Sequence, residues 1–190
     1  MSSYSVISDV SKGMLKLLSD QMVPEVIPNE NQIYLGKPGD LPQALLSVYL
    51  YDVQKSKEAG TNGMVHKGLN KQGYPSVYLS LYYMITALVS SDVKFRDLEE
   101  QKITGRVIQV LNDYPYLSKD TYQAAEGNEA GNIGIQMLSL NREEKNKIYN
   151  FTNNTYRLSL FYQVSFIELL SSKERKISRV SELDFKYQER

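Results

Sequence analysis

The longest regular pattern of apolar and polar positions lies in residues 75–89, which alternate with a period of two. Such alternation predicts a β-strand that is buried on one face. The face predicted to be buried is mainly aliphatic and carries Val77, Leu79, Leu81, Tyr83 and Ile85. The opposite face carries Tyr78, Ser80, Tyr82, Met84 and Thr86. This second face has the composition of a surface that meets another protein, since tyrosine is enriched at protein interfaces.

Two further segments, residues 44–53 and 156–170, repeat this division into an aliphatic face and a polar or aromatic face. In the first, the predicted inward residues are Leu46, Val48 and Leu50, and the outward residues are Ser47, Tyr49 and Tyr51. In the second, the predicted inward residues are Leu158, Leu160, Tyr162, Val164 and Phe166, and the outward ones are Arg157, Ser159, Phe161, Gln163 and Ser165. A third, weaker strand begins at Ile133. After Met137 the apolar residues no longer fall on every second position counted from Ile133, which predicts a strand that is short or bulged there.

Apolar residues at helical spacing predict two substantial helices and one short helix. The first spans residues 3–21, with an apolar stripe of Val6, Val10, Met14, Leu17 and Leu18. The second spans about residues 91–113, with Ser91 or Asp92 as its N-cap. Its stripe consists of Leu98, Ile103, Val107, Val110 and Leu111. The short helix covers residues 141–151 and places two glutamates in its first turn, where the helix dipole favours carboxylates.

These elements predict an α+β fold in which a single, mainly antiparallel four-stranded sheet carries the two main helices on one face. The helical stripes are buried on the aliphatic strand faces, and the other face stays uncovered, as antiparallel sheets allow. A proline-rich connector, residues 23–42, precedes the first long strand and has room for a short strand at residues 33–35. We predict a single domain over residues 1–170 and a charge-rich C-terminal arm over residues 171–190.

Residues 54–74 are predicted to form a long exposed loop, because they contain four glycines and four lysines. A structureless segment of that length is uncommon inside a compact domain and is usually functional or disordered. The loop and the C-terminal arm are therefore candidates for contacts with other chains. Ordinary flexible surface is the alternative interpretation of both.

The overall composition excludes several classes of function. The chain has 22 basic and 22 acidic residues, so it lacks the basic excess that nucleic-acid binding usually requires. It contains no cysteine, which excludes disulfides, thiolate metal sites and cysteine nucleophiles. No apolar segment is long enough for a signal peptide or a membrane span, so we expect a soluble, cytoplasmic protein without a membrane partner. The fifteen tyrosines fit either a protein interface or half-buried positions in a sheet.

The sequence offers little for catalysis or cofactor binding. The lone histidine, His66, lies in the predicted loop with no indicated partner or further metal ligand. The glycine-rich residues 127–134 lack the Gly-Lys-Ser/Thr ending of a phosphate loop and precede a strand. The carboxylates in residues 97–100 share their helix with cations, which is typical of a solvated helix face. We therefore expect no enzyme activity, no cofactor and no metal, and predict an assembly component.

Four segments, in this order, resemble the tail-terminator or cap proteins of extracellular contractile injection systems, the antifeeding-prophage-like particles. They are VISDVSKGMLKLL at 6–18, LLSVYLYDV at 45–53, YPSVYLSLYYMITAL at 74–88, and LSLNREEKNKIYNF at 138–151 followed by YRLSLFYQVSFIEL. The third segment looks like that family's Pro-Leu-Tyr-Leu-x-Leu-Tyr-Tyr-Leu strand, and residues 156–162 match its Tyr-Arg-Leu-Ser-x-x-Tyr pattern. One departure is that Asp52-Val53-Gln54-Lys55 stands where the family often has a Glu-Asn-Pro-like turn.

The resemblance implies a phage tail-terminator-like fold and a structural role. Such proteins form a ring, a hexamer, that ends polymerisation of the inner tube and sheath far from the baseplate and anchors the last sheath ring. The implied partners are further copies of the chain, the sheath protein, and the inner tube protein or a tube-terminating protein. The implied location is the cytoplasm during assembly and then a particle that can be released. Two alternatives stay open: a terminator of a contractile phage tail or tailocin, and a small-ligand-binding or enzymatic α+β domain.

The predicted contact surface combines the outward aromatic and polar strand positions with the cations of the loop and arm. Its members are Tyr49, Tyr51, Lys55, Lys57, Lys67, Lys71, Tyr78, Tyr82, Phe161, Gln163, Lys173, Arg175, Lys176 and Arg179. If Tyr78 and Tyr82 were both sealed inside the chain's own core, the physical argument for an assembly surface would fail.

Overall fold

The computed structural model describes residues 3–56, 63–66, 71–90, 93–117, 133–152 and 156–176. The helices in these residues are α1 Val6–Met22, α2 Val93–Asp113 and α3 Arg142–Thr152. The strands are β1 Ile33–Leu35, β2 Leu46–Lys55, β3 Val65–His66, β4 Lys71–Gly73, β5 Val77–Ala87, β6 Tyr116–Leu117, β7 Ile133–Met137, β8 Ser159–Leu169 and β9 Glu174–Lys176. Short 3-10 helices at Ser3–Ser5 and Glu30–Gln32 precede α1 and β1.

The main sheet has six strands in the order β1-β2-β5-β8-β7-β6. β1 is parallel to β2, and the other neighbours pair antiparallel. The prediction of an α+β fold with a mainly antiparallel sheet is confirmed, but the predicted number of four strands is wrong. The two additional strands are β1, for which the connector had room, and β6. They lie at the edges and have three and two residues, too few to show a periodic pattern.

One large core lies between α1, α2 and the aliphatic face of this sheet. Val10, Met14 and Leu18 of α1 are fully buried in it, as is Val107 of α2. Tyr83 of β5 belongs to the same core, and its hydroxyl oxygen lies 2.7 Å from that of Ser11 in α1. Because a buried hydroxyl is costly without a partner, this pair allows a tyrosine at a core position. The two main helices therefore pack on the aliphatic face, as predicted.

Three positions predicted to face the core are exposed instead. Leu98, Leu158 and Phe166 have exposed fractions of 58%, 45% and 48%. Phe166 has a φ of 66° in the left-handed region, and the β5–β8 register shifts beside it. This bulge reverses the alternation along β8, so Ile167 enters the core in its place. Leu158 precedes β8, and Leu98 lies on the outer side of α2.

α3 lies on the opposite face of the sheet, where Tyr149 packs with Met84 and Phe161 in a second buried cluster. The prediction that this face is uncovered is therefore wrong where α3 lies. A capping box starts the helix. The Glu144 amide donates to Asn141 Oδ1 at 2.9 Å, and the Asn141 amide donates to Glu144 Oε2 at 2.8 Å. The short helix predicted at residues 141–151 is thus present, displaced by one residue.

β7 is short, in agreement with one of the two forms predicted for it. Its register with β8 is continuous from the Gly134–Ser165 pair to the Met137–Tyr162 pair, so it contains no bulge. After Met137 the chain leaves the strand, and residues 138–140 turn towards the second cluster, where two leucines pack. This change of direction explains the slip in the apolar pattern.

A second sheet joins the segment predicted as a long loop to the beginning of the C-terminal arm. β3, β4 and β9 form this three-stranded sheet, which we call the small sheet, with β4 in the middle. The register places Lys71 opposite Lys176 and Gly73 opposite Glu174. The prediction of a structureless loop over residues 54–74 is therefore wrong for residues 54–55, which end β2, and for residues 65–66 and 71–73. Strand pairing over a long sequence separation leaves no local pattern in such short segments.

Candidate protein interface on the tyrosine face

The candidate site is the face of the main sheet opposite α1 and α2, which we call the tyrosine face. The β2–β5 register pairs Tyr49 with Met84. The β5–β8 register pairs Met84 with Phe161, and Tyr82 with Gln163. Because paired residues of antiparallel strands point to the same side, these side chains share one surface. The structure thus brings together the aromatic residues of the predicted contact surface and Gln163.

Tyr51 joins the tyrosine face through an irregularity in β2. The β2–β5 register shifts between Leu50 and Asp52, which leaves Tyr51 outside the paired ladder. The centroid of its ring lies 6.2 Å from that of Tyr82 and 6.0 Å from that of Phe161, the latter with an interplanar angle of 83°. Tilted and edge-to-face contacts are favourable because the edge of an aromatic ring is positive and its face negative. Three rings from three strands therefore form a continuous row.

α3 closes one end of the tyrosine face, which we call the closed end. The Tyr149 hydroxyl donates a hydrogen bond to the Arg157 carbonyl, and the Ser159 hydroxyl lies within hydrogen-bond distance of the same phenol oxygen. The Ser159 hydroxyl oxygen also lies 2.6 Å from that of Thr86 on β5. Leaving these buried hydroxyls without partners would cost free energy, so the network holds α3 against the sheet. The closed end is an internal core and offers no surface to another chain.

The remaining part of the tyrosine face, the open end, is half-buried rather than sealed. Its members are Tyr51, Tyr78, Tyr82 and Gln163. The Tyr82 hydroxyl donates to Gln54 Oε1 at 3.5 Å, and Gln163 Nε2 donates to the Ser80 hydroxyl at 3.3 Å. Neither Tyr78 nor Tyr82 is sealed in the core, so the physical argument for an assembly surface survives.

Carboxylates border the open end. Burial, followed by the charges of Asp52, Tyr82 and Glu144, raises the pKa of Tyr51 to about 12. Burial and the neighbouring Glu168 raise the pKa of Tyr78. Both phenols therefore keep their protons at neutral pH and can donate hydrogen bonds. The open end combines neutral tyrosines with negative charge at its border.

The predicted cationic contact residues lie elsewhere, mainly on or beside the small sheet. Four of them are exposed there: Lys71, Lys173, Arg175 and Lys176. The Lys173 ammonium lies 4.8 Å from the centroid of the Tyr74 ring. Lys55 is the last residue of β2. Three further predicted residues, Lys57, Lys67 and Arg179, lie outside the described residues. Among the predicted contact residues that the structure describes, the aromatic ones therefore lie on the tyrosine face and most cationic ones lie at the small sheet.

Sequence reasoning missed the contribution of α3 and the carboxylates that border the site. The indicative signal was the adjacent pair Ile148 and Tyr149, which follows six polar residues in the same helix, because such a helix needs a surface on which to bury the pair. The carboxylates Asp52 and Glu168 gave no signal, since their position beside tyrosines follows from strand register alone.

One concave surface in the described residues has a lining of paired charges. A cavity of about 420 Å³ lies between α2 and residues 156–158. In its lining, Arg157 pairs with Glu100 at 3.3 Å, and the Glu100 carboxylate also accepts a hydrogen bond from the Val89 amide. Across the described residues, no group of three or more metal-ligating side chains is placed to hold a metal ion. No described helix is long and apolar enough to cross a membrane.

Solved structures from contractile injection systems share this fold. The match to the PVC sheath/tube terminator of an extracellular contractile injection system, in its extended state, covers 97% of this chain with a TM-score of 0.67 and 18% identity. The match to the anti-feeding prophage cap, a tube-terminating cap, covers 95% of this chain with a TM-score of 0.61 and 21% identity. This chain spans 64% and 61% of the lengths of those chains. No curated protein sequence matches it.

These structures define the class of fold, which is that of terminators and caps of contractile injection systems. The sequence model of the Pvc16 N-terminal domain matches residues 9–182 of this chain. The chain therefore belongs to the Pvc16 N-terminal domain family. The predicted resemblance to terminator proteins is confirmed.

Proposed function

We propose that this chain is a structural subunit of the ring that closes the baseplate-distal end of a contractile injection particle. In this role it ends polymerisation of the tube and the sheath and anchors the last sheath ring. Its partners are further copies of itself, in a ring of six, together with the sheath protein and the inner tube protein or a tube-terminating protein. Assembly takes place in the cytoplasm, and the chain stays in the released particle.

The observation that carries the proposal is the extent of the structural match. The match to a sheath/tube terminator extends over 97% of the chain rather than over one local motif. The open end of the tyrosine face adds physical support. It presents several half-buried tyrosines on a rigid sheet. Large aromatic side chains with polar tips suit a protein contact better than contact with bulk water.

A closed ring also needs a particular kind of interface. Two different surfaces of one subunit must meet in neighbouring copies, so that the contact propagates and closes by rotation. The described chain offers two such surfaces, the open end and the small sheet. The strands at the edges of the main sheet, β1 and β6, could in addition accept an extended segment of the sheath.

The two alternative functions have less support. A terminator of a contractile phage tail or tailocin would use the same fold, and flanking genes for head proteins would indicate it. A small-ligand-binding or enzymatic domain would need a pocket with convergent reactive groups. In the cavity beside α2 the charged side chains are engaged in pairs such as Arg157–Glu100. We therefore propose a non-enzymatic role without a cofactor.

Binding to particle ends tests this function. Particles are produced in cells that lack the chain and then incubated with purified, gold-labelled chain for electron microscopy. We expect label at the end opposite the baseplate and nowhere else. Label along the sheath, at the baseplate, or at no site would contradict the proposal. Unlabelled chain added in excess controls for specific binding, because it should displace the gold.

A further inference from the structure

The small sheet carries more positive charge than its own contacts require. Its described residues and those beside it hold four exposed cations and the single carboxylate of Glu174. Lys71, Lys176 and Glu174 share one face of this sheet, whereas Arg175, which is paired with Gln72, lies on the other, so the cations flank both sides of the edge strand β9. That carboxylate is 3.0 Å from the Lys71 ammonium. The strand register nevertheless sets Lys71 directly opposite Lys176. Like charges in directly opposite positions destabilise strand pairing, so an anionic surface that covers them would relieve this repulsion.

The open end of the tyrosine face provides charge of the opposite sign. The strand register pairs Asp52 with Tyr82 and Glu168 with Tyr78, so both carboxylates lie on the same side of the sheet as these tyrosines. Glu144 of α3 acts on Tyr51 from the other side of the row. Asp52 and Glu144 are exposed, and Glu168 is half-buried. A cationic surface that docked here would meet carboxylates at the border and neutral phenols in the centre.

The aromatic rings of the open end can also accept cations directly. A lysine or arginine is attracted to the face of a tyrosine ring when it lies within about 6 Å of the ring centroid. The chain already makes one contact of this kind beside the small sheet, between Lys173 and Tyr74 at 4.8 Å. The same chemistry is available between the cations of one copy and the half-buried tyrosines of another.

We propose that the small sheet of one copy docks on the open end of the tyrosine face of a second copy, through salt bridges and cation–π contacts. This inference rests on the proposed ring and assigns the two surfaces that meet in it. Because the surfaces differ, the contact is heterologous and continues from copy to copy until the ring closes. Because it is electrostatic, we expect self-association to weaken as salt concentration rises.

Two charge-reversed variants test the assignment. The small-sheet variant carries Arg175→Glu and Lys176→Glu and keeps the Lys71–Glu174 salt bridge. The face variant carries Asp52→Lys and Glu168→Lys. The control variant carries Lys37→Glu and Lys102→Glu, at exposed positions outside both surfaces. It changes the net charge of the chain by the same amount as the small-sheet variant.

Light scattering over a concentration series then measures self-association. Each of the two test variants alone should associate at least ~10-fold more weakly than the wild type, because it brings like charges together. An equimolar mixture of the two should regain association, since every contact in an alternating ring then joins opposite charges. The control should behave as the wild type. Unchanged association of either variant, or failure of the mixture to regain it, would overturn the assignment.

Misfolding of a variant can be separated from a lost interface. Circular dichroism and urea unfolding identify a charge-reversed chain that does not fold. In that case Arg175→Gln with Lys176→Gln, and Asp52→Asn with Glu168→Gln, replace the reversals. Each neutralised chain should associate more weakly than the wild type. Their mixture should form a pair of chains with wild-type affinity, since the unchanged small sheet of one chain meets the unchanged open end of the other, but it should not regain larger assemblies, because the reciprocal contact joins two neutralised surfaces. Wild-type association of either neutralised chain would overturn the assignment.

The particle-end assay distinguishes failure of this inference from failure of the proposed function. If the wild type binds particle ends and all charge variants bind equally well, the function stands and the interface is overturned. If the mixture regains association but no chain binds particle ends, the interface stands and the function is overturned. If the wild type is monomeric in solution but binds particle ends, the variants and their mixture are compared by their binding to particle ends instead of by self-association. A wild type that does neither overturns both.

Discussion

At the scale of single residues, the tyrosines of this chain act in distinct environments. Tyr83 is fully buried in the main core, where its hydroxyl pairs with that of Ser11. Tyr149 is buried at the closed end and holds α3 through hydrogen bonds. Tyr82 is half-buried at the open end and is available to a partner. Part of the tyrosine content is therefore explained by burial in the sheet, whereas a contact surface at the open end stays a prediction.

The Tyr83 environment predicts a specific dependence of stability on pH. Burial raises the pKa of Tyr83 to about 12, from an ordinary value of 10.0. Between these values the unfolded chain has lost the proton and the folded chain still holds it. Stability from this group is therefore complete below pH ~10 and is lost as the pH rises towards ~12.

Urea unfolding at about pH 9 and about pH 11 measures this effect. Between the two, the wild type should lose about 1 kcal/mol more stability than Tyr83→Phe, since one pKa unit corresponds to about 1.4 kcal/mol. Tyr4→Phe removes the hydroxyl of a side chain that is 80% exposed and should follow the wild type. Identical pH dependence of Tyr83→Phe and the wild type would contradict the burial argument.

Substitution of the open-end tyrosines should weaken association, in addition to the stability lost where Tyr51 packs against the second cluster. Tyr51→Ala and Tyr82→Ala each remove a half-buried ring from the aromatic row. Central interface aromatics commonly contribute more than ~1.4 kcal/mol, so each change should weaken self-association or end binding about tenfold or more. Tyr4→Ala removes a ring that is 80% exposed in the N-terminal 3-10 helix, outside the proposed contact surfaces, and serves as the control. An equal effect of all three substitutions would argue against the open end as the contact surface.

At the scale of secondary-structure elements, α3 depends on its capping box and its single buried tyrosine. Asn141→Ala removes the side chain that accepts the Glu144 amide hydrogen bond. An N-cap substitution of this kind costs roughly 1 kcal/mol. Amide hydrogen exchange should therefore accelerate in α3 about fivefold or more, and remain unchanged in α1. Asn146→Ala alters an exposed residue within the same helix and should have little effect.

The elements also show how far the sequence can predict the fold. β2, β5 and β8 are long enough for alternation to reveal both their position and their faces, so the aromatic residues of the site could be predicted. The bulges at Tyr51 and Phe166 could not, because they depend on how strands pair. Strands of two or three residues, including the whole small sheet, have no period to detect. The end of the tyrosine face that α3 covers could not be predicted either, because it depends on tertiary packing around Tyr149.

At the scale of the whole molecule, the two faces of the main sheet have different roles. The helical face completes a core of its own, whereas the other face is only partly closed and leaves tyrosines bordered by carboxylates. The small sheet adds a separate cationic surface. A subunit with two complementary surfaces of this kind can form a heterologous contact, which a ring requires. The family assignment and the physical properties of the surface therefore support the same account.

The measurement that tests this account most directly is the length of particles made by cells that lack only this chain. Electron microscopy should show tubes and sheaths of uncontrolled length. The wild-type chain supplied in trans should restore one narrow length, whereas the chain with both Tyr51→Ala and Tyr82→Ala should not. An unchanged, narrow length distribution in the absence of the chain would contradict its role as a terminator.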